Sequence, residues 1–258
     1  MSGKIISVFT NKGGVGKTTT ALSIAHGLAK KNVKTLIIDI DAQCNSTEPL
    51  LGVDPSGNVL EILEGLKPVD QCIHRINFQH NLSCIPNAEG LTSLEPTIIQ
   101  QGENGFYALR EKIAKYCREN FDITIIDCPP NFGIFVINAL FCSDLAIVPT
   151  ESGSRNSVKG LQAAQKFITQ MNRAGNPDLT LFKILVTKLD MRTNIGKDYL
   201  SQMKDAFQEH VFDNHIPACV DFKYAENASQ TIFQSYPKSS GAKAYMKVVS
   251  EITKILGL

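Results

Sequence analysis

The segment Thr10-Asn11-Lys12-Gly13-Gly14-Val15-Gly16-Lys17-Thr18-Thr19-Thr20 carries the residue types that bind phosphate. Its glycines let the backbone curl until successive N–H groups point at one spot, so that main chain alone can hold an anion. Lys17 is placed to reach the β- and γ-phosphates of a nucleoside triphosphate, and the Thr18 hydroxyl to ligate Mg²⁺. An apolar run, Ile5 to Phe9, precedes the segment, and Leu22, Ile24, Ala25 and Leu28 follow it at helical spacing. The loop therefore joins a strand to a helix, whose N-terminus adds its own partial positive charge. The competing reading is a glycine-rich turn with two solvated lysines, and the strand–helix setting argues against it.

Two more stretches set acids at strand ends. Thr35 to Ile38 is a short apolar run ending at Asp39-Ile40-Asp41, and Phe121 to Ile126 ends at Asp127, with Pro129 and Pro130 barring helix continuation. Groups that do chemistry in open parallel sheets sit just beyond strand C-termini, so these aspartates are expected beside the glycine loop. Asp127 has the form of a Walker B carboxylate that holds the Mg²⁺ shell. Helix capping and turn formation remain open as alternatives for all three.

The elements needed to position these residues are legible as alternating patterns. Strands are expected at Leu82 to Pro86, Asp144 to Thr150 and Thr180 to Thr187, and helices at Val59 to Leu66, Phe106 to Cys117, Ser157 to Met171 and Ala242 to Leu256. Asp54-Pro55-Ser56-Gly57 reads as a turn, and Asn87 to Gly105 as a mobile loop. Strands alternating with helices predict an α/β fold: a doubly wound, mostly parallel sheet with helices on both faces, in one domain spanning 1–258.

Composition bounds the rest. With 258 residues, 43% hydrophobic and 20% charged, the chain can bury one large core. No apolar run approaches the ~20 residues of a membrane span and no leader pattern precedes the first strand, so a cytoplasmic protein is expected. The seven cysteines are scattered, without a Cys-x-x-Cys pair, and read as reduced thiols. Residues 1–150 hold 12 Lys/Arg against 15 Asp/Glu, and residues 151–258 hold 14 against 10, so the second half is the basic one. By itself that excess fits a solvated surface as well as a polyanion partner.

The loop departs from the plain nucleotide-binding pattern: Asn11 stands where a glycine is usual, and Lys12 adds a second lysine. Lys-Gly-Gly-Val-Gly-Lys-Thr-Thr closely resembles the deviant Walker A motif of the ParA/MinD family of P-loop ATPases. The resemblance continues through Asp39 to Asn45, Asp127 to Gly133, Thr187 to Asn194, Ile216-Pro217 and Ser235 to Tyr245, and is nearest to the small, Soj-like ParA proteins. It implies ATP and Mg²⁺ as cofactors, with nucleotide contacts along Lys12, Gly13, Gly14, Val15, Gly16, Lys17, Thr18 and Thr19. Lys12 would be the signature lysine that reaches the phosphates held by a partner subunit. Asp41 would orient the attacking water and join the metal shell with Thr18 and Asp127, and Asp39 would organise the metal region. Lys188 and Pro217 would lie near the adenine, although a strand-end turn explains each as well.

The family further implies an ATP-dependent sandwich homodimer, non-specific DNA binding, a ParB-like stimulating partner and a nucleoid-associated location. Arg192, Lys197, Lys223 and Lys243 are the candidate DNA contacts. Ala218 and Asp221 stand where chromosomal relatives commonly carry arginines, and Lys223 substitutes only in part. The closing helix resembles the packed helix of ParA proteins more than the basic membrane anchor of MinD-like ones. The spread of the cysteines speaks against the cluster-binding relatives. A chain that opens directly on its first strand suggests the small subclass. The alternatives are a MinD-like membrane-associated positioning ATPase and a small-molecule ligase of the same fold.

Overall fold

The structure, a computed structural model, describes residues 2–52, 55–88, 90–153 and 157–258; Asp54 of the expected turn lies outside them. Seven strands among the described residues form one sheet: β1 (Lys4–Val8), β2 (Thr35–Asp39), β3 (His74–Arg75), β4 (Leu82–Ile85), β5 (Ile123–Asp127), β6 (Leu145–Glu151) and β7 (Thr180–Thr187). Their order is β3-β4-β2-β5-β1-β6-β7, and every neighbouring pair is parallel except β3 with β4. Parallel strands are buried on both faces, which is why β2 and β5 read as unbroken apolar runs rather than alternating ones.

The helices are α1 (Lys17–Lys30), α2 (Glu48–Leu51), α3 (Val59–Glu64), α4 (Glu95–Gln100), α5 (Glu103–Phe106) and α6 (Ala108–Asn120), followed by α7 (Ile134–Cys142), α8 (Ser157–Ala174), α9 (Asn194–Phe207), α10 (Asp221–Asn227), α11 (Ile232–Ser235) and α12 (Ser240–Leu256). They cover both faces. Ile6, Val8, Ile37 and Ile125 pack toward α1 and the α10–α12 layer, whereas Ile5, Leu36, Ile38 and Ile126 pack toward α3 and α6–α9. The period-two alternation of side chains along each strand produces the two separate cores.

The stretch expected to be a mobile loop, Asn87 to Gly105, instead carries α4 and α5. These helices are too short to show a periodic face, and Pro96 near the start of α4 suits a first helical turn rather than marking a break. α7 escaped the pattern because Ile-Phe-Val-Ile-Asn-Ala-Leu-Phe-Cys is apolar around its whole circumference, being buried almost throughout. α9, absent from the expected helices, follows a Thr193 cap and buries Tyr199, Met203 and Phe207 at four-residue spacing.

α12 buries Ala242, Tyr245, Val248, Val249 and Ile252 in the core shared with α1, and the Tyr245 hydroxyl meets Thr20 Oγ1 at 2.9 Å. Its apolar stripe is thus covered by protein. Among the described residues no helix is long and apolar enough to cross a membrane. Cys72, Cys84, Cys117, Cys128 and Cys142 pack as core residues; burial pushes the Cys117 thiol up to about 12, far from its reactive form.

Candidate functional site

β1 ends at Val8 between β5 and β6, and the chain turns through residues 9–16 into α1. Gly14 (φ 74°) and Gly16 (φ 82°, the residue before α1) are left-handed, a conformation that strains any residue with a Cβ. Val15 between them is buried and fixes the loop to the core. The Thr187 hydroxyl donates to the Val15 carbonyl at 2.8 Å, and Lys188 Nζ donates to the Gly14 carbonyl at 2.6 Å. Lys12 and Gly13 are exposed at the loop's outer edge, and Thr18 and Thr19 are half-buried in the first turn of α1.

Parallel register sets Asp39, the last residue of β2, directly beside Asp127, the last of β5. Asp39 is saturated with hydrogen bonds. Its Oδ1 accepts from the Asp41 N–H (3.0 Å), and its Oδ2 from the Thr47 N–H (2.9 Å), the Thr47 hydroxyl (2.8 Å) and the Ser46 N–H (3.2 Å). Complete burial raises its pKa against those bonds, with the Asp41 charge adding to the rise. Asp39 therefore shapes the turn over residues 40–47 that carries Asp41.

Asp41 Oδ1 accepts from the Gln43 N–H (3.1 Å), and Oδ2 lies 3.5 Å from Lys17 Nζ, with both side chains over nine-tenths buried. From the end of β4, Asn87 Nδ2 donates to the Asp41 carbonyl (2.7 Å) and the Asn87 N–H to the Thr47 hydroxyl (2.9 Å). Asp127 differs from its neighbours. Both of its carboxylate oxygens are buried without a hydrogen-bond partner of good geometry. Burial above all, with the charges of Asp39 and Asp41, raises its pKa against the lowering by Lys17 and the Thr18 hydroxyl, and the balance brings it up to about 7.

A buried carboxylate with unspent oxygens is what a divalent cation needs, since burial without a partner costs about 1–3 kcal/mol or more for a charged group. Among the described residues no three His, Cys, Asp or Glu are grouped to hold a metal unaided. The donor set of Thr18 and Asp127 suits Mg²⁺, which keeps waters and phosphate oxygens and takes only one or two protein ligands.

Lys12 Nζ lies 3.6 Å from Glu151 Oε2 at the end of β6, and the other oxygen of Glu151 is 3.3 Å from Lys188 Nζ. Lys188 thus reaches the outer side of the glycine loop. Just beyond it, Leu189 bridges Pro217, and residues 189–192 with His215, Pro217 and Ala218 frame a cavity of about 300 Å³.

Of the basic candidates, Arg192, Lys197 and Lys223 ride on segments that run from the β7 end and from the Leu189–Pro217 bridge, and Lys243 lies in the first turn of α12. All four are exposed. Arg192 is held bidentately by Asp190 (2.9 and 2.8 Å), which pulls the Asp190 carboxyl down to about 2 and leaves that arginine's charge offset within the chain.

Sequence reasoning missed Asn87, Glu151 and Thr187. Each stands at or just past the C-terminal end of a parallel strand, the same position that identified Asp39 and Asp127, so the strand-end rule applied to β4, β6 and β7 finds them.

A family model described as an AAA domain matches residues 3–181. The chain is 34% identical to the chromosome-partitioning ATPase Soj of Thermus thermophilus, covering 96% of this chain and 94% of the relative. It is 31% identical to the chromosome partitioning protein ParA of Myxococcus xanthus, over 98% and 88%. Among solved structures, cobyrinic acid a,c-diamide synthase from Mycobacterium smegmatis with bound ADP and magnesium superposes with a TM-score of 0.84 at 28% identity, over 99% of this chain and 96% of that one. A putative plasmid partition protein from Borrelia burgdorferi bound to AMPPNP gives 0.82 at 25%, over 98% and 99%. Glycine loop, strand-end carboxylates and sheet order thus agree with full-length similarity, and the chain belongs to the ParA/Soj family of partitioning ATPases.

Proposed function

We propose that this ATPase is a nucleotide-driven switch for DNA partition or cargo positioning. ATP binds at Lys12–Thr19, two copies close face to face over their nucleotides, and the pair binds duplex DNA without sequence preference. A ParB-like partner then stimulates hydrolysis and release. The single observation that carries the reading is the buried, unpartnered Asp127 carboxylate beside the Lys17–Asp41 pair at the mouth of the glycine loop. Such work would keep the protein in the cytoplasm, on the nucleoid.

In this mechanism the loop N–H groups and Lys17 cradle the β- and γ-phosphates. Mg²⁺ held by Thr18 and Asp127 would neutralise phosphate oxygens as a Lewis acid. Lys17, once drawn to the phosphates, releases Asp41 Oδ2, while the Gln43 N–H and the Asp39-organised turn keep Asp41 Oδ1 fixed. The freed oxygen accepts a hydrogen bond from the attacking water and orients it, which is most of what phosphoryl transfer asks of a carboxylate. Lys12 supplies a second positive charge to the nucleotide of the partner copy. The base lies in the cavity between Leu189–Arg192 and Pro217, with Lys188 at its edge.

Asp41→Ala tests this. It should retain ATP affinity, accumulate as an ATP-dependent dimer on size exclusion, and lose roughly a hundredfold or more in phosphate release. Full hydrolysis by that variant would remove Asp41 from the mechanism. The diamide synthase likeness favours a second reading, ATP-dependent amide formation. The higher identities to Soj and ParA, and a Lys12 exposed beside the loop for use in trans, support the first. ATP turnover to ADP and phosphate that needs DNA and a partner protein but no carboxylic acid substrate separates the two.

A further inference from the structure

We propose that Thr187 is a positioning residue for the phosphate loop, acting through two peptide planes. A cradle that turns its N–H groups inward must turn the carbonyls of the same peptides outward, because each peptide is planar and trans. Those carbonyls then need partners of their own. In this loop both are met from the end of β7: the Thr187 hydroxyl takes the Val15 carbonyl at 2.8 Å, and Lys188 Nζ takes the Gly14 carbonyl at 2.6 Å. Fixing the Val15 carbonyl fixes the Gly16 N–H, and fixing the Gly14 carbonyl fixes the Val15 N–H.

The two anchors differ in kind. Thr187 is 2% exposed and lies between the loop and β6, its hydroxyl also 3.2 Å from the Thr150 carbonyl. The one hydroxyl proton goes to the shorter contact. Lys188 is half-exposed, shares its charge with Glu151, and is held at φ 51°, a strained conformation for a lysine. The buried neutral bond therefore sets the loop's geometry against solvent competition, and the ammonium reinforces it. Since Val15 is itself 1% exposed, the loop has no room to recover a lost bond by swinging outward to water.

The inference rests on the nucleotide-binding reading of the loop, and the test separates the two. ATP dissociation constants are measured by calorimetry for the wild type, Thr187→Val, Thr187→Ser and Lys17→Ala, each at a temperature where the unliganded protein is fully folded. Thr187→Val keeps the buried volume and puts a methyl group in place of the hydroxyl; it should weaken ATP about tenfold. Thr187→Ser restores the donor and should bind within about twofold of the wild type, although it gives up a buried methyl group. A merely structural role predicts the reverse order, with the serine variant the more impaired. Wild-type affinity in Thr187→Val, or equal losses in the valine and serine variants, overturns the positioning role. Unchanged affinity in Lys17→Ala overturns the loop reading itself.

Discussion

Lowering the pH should loosen the seat of the helix that carries the phosphate loop, by an amount set at His26. This residue lies toward the C-terminal end of α1, 3% exposed, with Nδ1 2.8 Å from the Thr231 hydroxyl and its ring between Phe233 and Phe78. Burial, and then the charge of Lys30, lower its pKa from 6.5 to about 4. Below pH 6.5 the unfolded chain takes up a proton that the folded chain refuses, so stability falls as pH falls, down to the folded value near 4. Integrated from pH 7 to pH 5, this group alone removes about 2 kcal/mol. The assay is urea unfolding of the wild type and His26→Gln at both pH values. Asp127 and Asp39, whose raised pKa values act with the opposite sign, are common to both proteins and cancel in the comparison. The wild type's advantage over the variant should shrink by about 2 kcal/mol between pH 7 and pH 5. Parallel pH dependences, with the gap constant to within about 0.5 kcal/mol, would refute the burial argument.

Two further outcomes test the assembly. A Cβ at Gly13 would meet nothing within 4 Å in the single chain, so Gly13→Val should bind ATP normally yet fail to dimerise, because in the proposed sandwich dimer a second copy approaches that edge; an ATP-dependent dimer by light scattering contradicts that interface. In the Asp41→Ala background, Lys197→Glu and Lys223→Glu should each weaken duplex binding and flatten its salt dependence by about one counterion. Arg192→Glu should do less, since Asp190 already offsets that charge; if it proves the most damaging, the cis pair does not persist on DNA.

The phosphate loop and the strand-end aspartates were legible because each combines a rare residue type with a short apolar run, and such runs survive without tertiary context. Asp39 was legible only by position. That its oxygens are taken by Ser46, Thr47 and the Asp41 N–H is a fact of how the following turn folds back, which no spacing announces. Asn87 was hidden for a related reason: it sits 46 residues from Asp41 and becomes its neighbour only because β4 pairs with β2. α7 was lost because a helix buried on all sides has no amphipathic period to read. The Arg192–Asp190 fork lies within three residues of sequence, so the offset of the Arg192 charge is legible there as opposite charges two positions apart.

The contact between Lys12 and Glu151 bears on how readily two copies exchange partners. At 3.6 Å, with the two side chains 45% and 31% exposed, it is a solvent-screened ion pair of the kind that contributes about 0–1 kcal/mol. Surrendering it in each of two chains lowers the association constant by about thirtyfold at most. The lysine is thus parked on its own subunit rather than locked there, and in the sandwich dimer proposed above it would leave Glu151 at little cost for a triphosphate on a second copy. In that proposed dimer a charge so cheaply released would leave nucleotide occupancy, and not the breaking of this ion pair, as the main cost of pairing.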